Sequence, residues 1–162
     1  MSLLSAQERL STVLLANVLD VPNVFLGALP YGSRQTGATQ YPYLAILGIA
    51  GSWQLLATRT ASLRAIYGVT EDFAIPTMPA DTDSDDVPAS KSTPEQMGQY
   101  LGSLAEAAMG AIEACAGNLG LARVTSLSWS VESRITRPYW HLLLDFDVEM
   151  HARPACTNGY LT

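Results

Sequence analysis

Between Tyr139 and His151 the chain alternates. Trp140, Leu142, Leu144, Phe146, Val148 and Met150 take one phase, and His141, Leu143, Asp145, Asp147, Glu149 and His151 take the other. Successive side chains of a strand point to opposite faces, so this spacing predicts one long half-buried β-strand. One face is apolar. The other ends in three carboxylates between the only two histidines of the chain.

The same reading extends along the chain. Ser5-Ala6-Gln7-Glu8 has the form of a capping box, and Leu10, Val13, Leu14 and Val18 follow at helical spacing. A helix is expected from there to about Asp20, stopped by Val21-Pro22, because proline disfavours the α conformation in its predecessor. Asn23–Leu29 is a short apolar run expected as strand, and 30–40, with Gly32 and Gly37, a loop. Tyr41–Ile49 is apolar throughout and predicts a buried strand. Gly51 suggests a turn, and Trp53–Thr58 a further strand. Leu63, Ala65, Tyr67, Val69, Phe73 and Ile75 hold period two, interrupted at Glu71, with Arg64, Thr70 and Asp72 on the partner face. Pro76 and Pro79 end that strand.

Residues 76–93 shift to proline, aspartate, serine and threonine, the composition of a mobile acidic loop. Thr93-Pro94-Glu95-Gln96 then opens a second helix by a capping box and a proline at its first position. Its expected buried stripe is Met97, Leu101, Leu104, Ala105, Ala108, Ile112 and Cys115, with Gly117-Asn118 as the stop. Gly98, Gly102 and Gly110 lower its intrinsic stability and would permit close packing on a sheet. Val124–Glu132 is a strand with Leu127, Trp129 and Val131 on one face, and 136–138 turns into the closing strand. A single α+β domain is expected over residues 1–153, with a mainly antiparallel sheet packed on two helices and a loose tail at 154–162.

Composition sharpens this picture. Of 162 residues, 48% are hydrophobic, ample for a core, and 15% are charged, fewer than the roughly 25% usual for soluble domains. Such a chain is expected to hide part of its surface in an oligomer. The net charge is −6 and concentrates at 81–95 and 139–151, which leaves no basic groove to hold a phosphate backbone. Eight of the nine basic residues are arginine, suited to fixed ion pairs. Cys115 and Cys156 do not make a disulfide scaffold. The opening MSLLSAQERL has no signal-peptide pattern, and no apolar run reaches the roughly 18–20 residues that span a bilayer. Synthesis in a reducing cytoplasm, with no membrane partner, is the expectation.

Candidate chemistry centres on Asp145, Asp147 and Glu149. A metal reading would add a histidine, but Leu143 interrupts the row, and metal sites usually gather ligands from more than one element. A pair of acid–base carboxylates would need one of them in an apolar pocket, which nothing in the pattern supplies. A solvated or channel-facing sheet surface is the plainer reading. Asp81-x-Asp83-x-Asp85 opens like a calcium loop, but Asp86 and Ser92 stand where glycine and glutamate are needed. Ser33 and Ser52 are not in a nucleophile elbow, and Gly48–Gly51 is not followed by a phosphate-loop lysine. Trp53, Trp129 and Trp140 sit in strand patterns that favour packing over ligand stacking. No catalytic residue, metal or cofactor is assigned.

The order of elements, a capped helix, strands through Leu63–Ile75, a loop, the helix at 94–116 and two closing strands ending at Tyr139–Met150, resembles the tail-terminator (tail-completion) proteins of tailed bacteriophages. That resemblance covers about 150 residues and implies an α+β protein that forms a ring, usually a hexamer, on the upper end of the tail tube. Such a ring stops tube polymerisation, offers the head-joining surface to connector proteins, and surrounds the channel through which DNA passes. It implies a virion location at the head–tail junction, and host cytoplasm during assembly. Asp145, Asp147 and Glu149 would then face the channel and repel phosphates, so that DNA passes without sticking. Other tail-tube, neck or baseplate ring proteins would share this physics. The rivals from other classes are a small-molecule or metal-dependent enzyme and a monomeric binding module using the 30–40 and 76–93 loops.

Overall fold

Among the described residues, two amphipathic helices and five strands form, and the main apolar phases of the helices and of three of the strands are buried in one shared core. The computed structural model describes residues 3–17, 21, 23–27, 41–53, 59–70, 73, 75, 93–115, 122–133 and 139–150. The elements run α1 (Leu3–Asn17), β1 (Asn23–Leu26), β2 (Tyr43–Trp53), β3 (Arg59–Thr70), α2 (Pro94–Ala114), β4 (Ala122–Ser133) and β5 (Tyr139–Met150). The five strands make one sheet in the order β1-β2-β3-β5-β4. β1 pairs parallel with β2, and every other pair is antiparallel. The fold is therefore α+β with a mainly antiparallel sheet, as the pattern predicts.

Both helices pack on one face of this sheet. Ala6, Leu10 and Leu14 of α1, four residues apart, meet Met97, Leu101, Ala105, Ala108 and Ile112 of α2 over the apolar phases of β2, β3 and β5. Leu142, Leu144, Phe146, Val148 and Met150 of β5 are all buried there. Trp140, at the start of that phase, is half-buried against the same core. α1 is also tied to the sheet by a polar contact: the buried Gln7 Nε2 donates to the Ile46 carbonyl at 3.1 Å. The same carbonyl accepts from Gly27 N at 2.8 Å. Gly27, at φ 90°, turns the chain away where β1 ends, a conformation that glycine adopts without a Cβ clash.

The start of α2 follows its sequence signal. Thr93 accepts from Gln96 N, the Gln96 side chain accepts from Thr93 N, and Pro94 takes the first helical position. Its end differs from expectation. Cys115 is the C-cap and is exposed, because the helix stops at Ala114 and the residue falls outside the buried stripe. Leu104 is only partly buried. Gly98 and Gly110 have open space where a Cβ would stand, so they do not serve close packing on the sheet. Gly102 alone meets a strand residue, Trp129.

Other boundaries are corrected as well. α1 begins at Leu3, so Ser5 lies inside its first turn and is not the cap. α1 is described to Asn17, and residues 18–20, over which the pattern continues it, lie outside the described residues. Gly51 is not a turn. β2 runs on to Trp53 through a bulge between Gly48 and Ala50, and Gly51 lies close to the Thr60 carbonyl of the neighbouring strand. β3 starts four residues earlier than the Leu63 pattern and stops at Thr70, where Phe73 N donates back to the Thr70 carbonyl. Phe73 then stacks on Tyr100 of α2. The loops expected at 30–40 and 76–92, the strand at 54–58, the stop at Gly117-Asn118, the turn at 136–138, and the tail at 154–162 lie outside the described residues.

Candidate functional site

The sheet face opposite the helices carries the candidate acids Asp145, Asp147 and Glu149. Cross-strand register assembles it. Arg64 of β3 stands opposite Asp145 of β5, and Asp145 opposite Ser128 of β4. One step on, Ser62, Asp147 and Ser126 share a row, and beyond them Thr60, Glu149 and Arg123. In the other direction come Ile66, Leu143 and Ser130, then Gly68, His141 and Glu132. The face thus divides into a polar zone and an aromatic zone, with Leu143 at the border.

In the polar zone the acidic residues are already engaged within the sheet. Arg64 Nε donates to Asp145 Oδ1 at 2.7 Å and Arg64 Nη2 to Asp145 Oδ2 at 3.1 Å, a two-pronged pair. Both side chains remain about 40% exposed, so solvent screens the pair and its net contribution to stability is about 0–1 kcal/mol. Asp147 accepts from Ser126 Oγ on one oxygen and Ser62 Oγ on the other, each at 2.7 Å. Those hydroxyls, Ser126 first and Ser62 second, hold the Asp147 carboxyl below its ordinary range, because they stabilise the charged form. Asp147 is exposed, and Asp145 and Glu149 are half-exposed.

No family model matches the chain. No curated protein matches it either. What these residues can do must therefore be argued from their geometry. Among the described residues no three His, Cys, Asp or Glu side chains gather into a possible metal site. Asp145 and Asp147 each have both oxygens occupied by neighbours on adjacent strands. They read as a fixed, hydroxyl-lined acidic surface.

In the aromatic zone, Tyr43, Ala45, Ile66 and Leu143 form a second buried cluster, with Phe25, Tyr41 and Leu47 packed against it. Leu143 therefore does more than interrupt the acidic row: it belongs to a second core. Tyr41 stacks on Tyr139 at 4.5 Å between centroids and meets Tyr43 edge-on at 5.0 Å. The Tyr41 hydroxyl lies 3.2 Å from His141 Nε2. Burial, then the neighbouring Tyr41, pushes the Tyr43 hydroxyl pKa well above its ordinary value, so it stays protonated. The ring of Tyr43 covers Gly68 directly across the strand pair.

Arg64, Ser62 and Ser126 are the partners on this face that the pattern alone does not assign to the acids. Their signal is present in weak form, as a polar phase in β3 and serines at every second position of β4. Of the other sequence candidates, Ser52 is exposed and shares a hydrogen bond with the Thr60 hydroxyl. Trp129 is half-exposed on the helix side of β4. Ser33, Asp81, Asp83, Asp85 and His151 lie outside the described residues.

Proposed function

We propose that this chain is a structural protein of a tailed bacteriophage, a tail terminator whose copies form a ring on the upper end of the tail tube, stop its polymerisation and offer the surface that joins the head. Its mechanism is assembly control. The observation that carries the reading is the polar zone of the open sheet face. There Asp145 and Asp147 are held by Arg64, Ser62 and Ser126, so the surface is acidic, rigid and hydroxyl-lined. A channel wall needs these properties: it must present charge that repels phosphates, and it must not offer free donors that would hold them. Arg64 moderates this wall by neutralising Asp145, and Arg123 stands opposite Glu149, which leaves Asp147 as its principal unopposed charge.

The order of helices and strands and the low overall charge support the same reading, since the core of a subunit contact is depleted in charge. Among the described residues no helix is long and apolar enough to cross a membrane. Mass photometry at micromolar protomer concentration tests the proposal. A discrete species near six chains is expected; a monomer at that concentration overturns it.

A further inference from the structure

The large hydrophobic side chains that stand exposed among the described residues are Leu3, Leu4, Val24, Ile49 and Trp129. They are not scattered. Leu3 and Leu4 open α1, which packs on β1 and β2; Val24 is on β1; Ile49 is the bulge residue of β2. All four therefore belong to the β1/β2 side of the sheet, whereas Trp129 is alone on β4, the opposite edge.

Among the described residues both edges also have long stretches without a charge or a proline to guard them, and β4 is charged only near its ends, at Arg123 and Glu132. β4 is twelve residues long, and from Val124 to Val131 it contains no charge and no proline. Long edge strands of folded proteins usually carry such devices, because their free backbone groups otherwise recruit another strand. On the other side β1 covers β2 only as far as Ile46. The stretch Leu47–Trp53 continues without charge, and among the described residues no strand pairs with that side of it. A groove of about 400 Å³ begins beside Leu3 and Ile49 and runs across β2 to Ala61 of β3 and Met150 of β5, with Arg59 also on its wall.

We propose that these two edges are the halves of one contact between copies of this chain, with Trp129 of one copy seated against Leu3, Leu4 and Ile49 of the next. Three features of the sheet agree with this occupant. β4 runs opposite to β1 and β2, so copies set side by side in the same orientation present the two edges antiparallel. Trp129 is in register with Leu144, Ala65 and Ile46, so its indole stands level with the point where β1 ends and the open stretch of β2 begins. It also projects on the helix side, the side on which Gly48 meets Leu3. A contact made of two different surfaces is heterologous and propagates head to tail, closing where the rotation permits. It supplies the ring of the proposed function with its subunit interface.

The test uses Trp129→Lys and Ile49→Lys, each checked for native fold by circular dichroism, with Leu3→Lys as an independent groove variant. Wild type should associate, and each variant alone should run as a monomer. An equimolar mixture of Trp129→Lys and Ile49→Lys should give a one-to-one pair, because one copy retains the groove and the other the indole. Wild-type mass retained in folded Trp129→Lys, or in both groove variants, overturns this interface and leaves the ring standing. A dimer formed by Ile49→Lys alone overturns it too, since that contact would be β4 on β4. A monomeric wild type overturns the ring and the interface together.

Discussion

Gly68 offers the sharpest test of the packing on the open face. A Cβ built there meets the Tyr43 ring, with Cζ at 2.7 Å, and Tyr41 Cε1 at 2.9 Å. Carbon atoms prefer about 3.5–4.0 Å, so Gly68→Ala must push a buried ring by roughly 1 Å. Overpacking of this kind costs about 1–3 kcal/mol. Restricting the unfolded chain returns about 0.4–1 kcal/mol. The net expectation is a loss of about 1–2 kcal/mol. Gly98→Ala and Gly110→Ala meet nothing within 4 Å on α2 and should each gain about 0.5–1 kcal/mol. Urea unfolding at one fixed protomer concentration reads the difference, as midpoints that move in opposite directions at unchanged slope. A Gly68→Ala midpoint that rises with those of Gly98→Ala and Gly110→Ala would refute the packing of Tyr43 and Tyr41 over β3.

Other predictions address the two cores, the cap and the acids. Phe146→Ala should cost about 3–5 kcal/mol, and Leu143→Ala about 2–5 kcal/mol despite its place in the acidic phase, both read by chemical denaturation. A Leu143→Ala protein as stable as wild type would remove the second core. Thr93→Ala should lose about 1 kcal/mol, because it leaves the first turn of α2 without its cap; a thermal shift below 1 °C would contradict this. The folded Asp147 carboxyl titrates below its unfolded value, so it contributes stability above the ordinary carboxylate range, and that contribution is lost as pH falls through the depressed folded value. NMR titration should show this pKa rise in Ser126→Ala and Ser62→Ala. Asp145→Asn, Asp147→Asn and Glu149→Gln combined should fold at neutral pH; an unfolded product would mean that the acids are structural and do not merely form a wet wall.

What could be read from the chain depended on how local each cause was. The cap at Thr93 and the stripe Met97, Leu101, Ala105, Ala108 and Ile112 are set by neighbours within four residues, and they stand as the pattern predicts. Ser5 shows the limit: the same cap signature falls inside a helix that Leu3 begins. Gly51 looks like a turn in isolation, but the carbonyl of Thr60 across the pair makes it a site of close backbone approach. Leu143 looks like a break in an acidic row until β2 and β3 bring Tyr43, Ala45 and Ile66 beside it. The partners of the acids were the least legible, since Arg64 is 81 residues from Asp145 and Ser62 is 85 from Asp147. Alternation states which side chains share a face; only register states which of them touch.

The central claim is that copies of this chain close into a ring around a channel. Negative-stain electron microscopy of the purified protein tests it most directly. Closed rings with a central opening, in a uniform number of copies, are the predicted result. A field of compact monomers, or isolated two-fold dimers without an opening, would contradict the account.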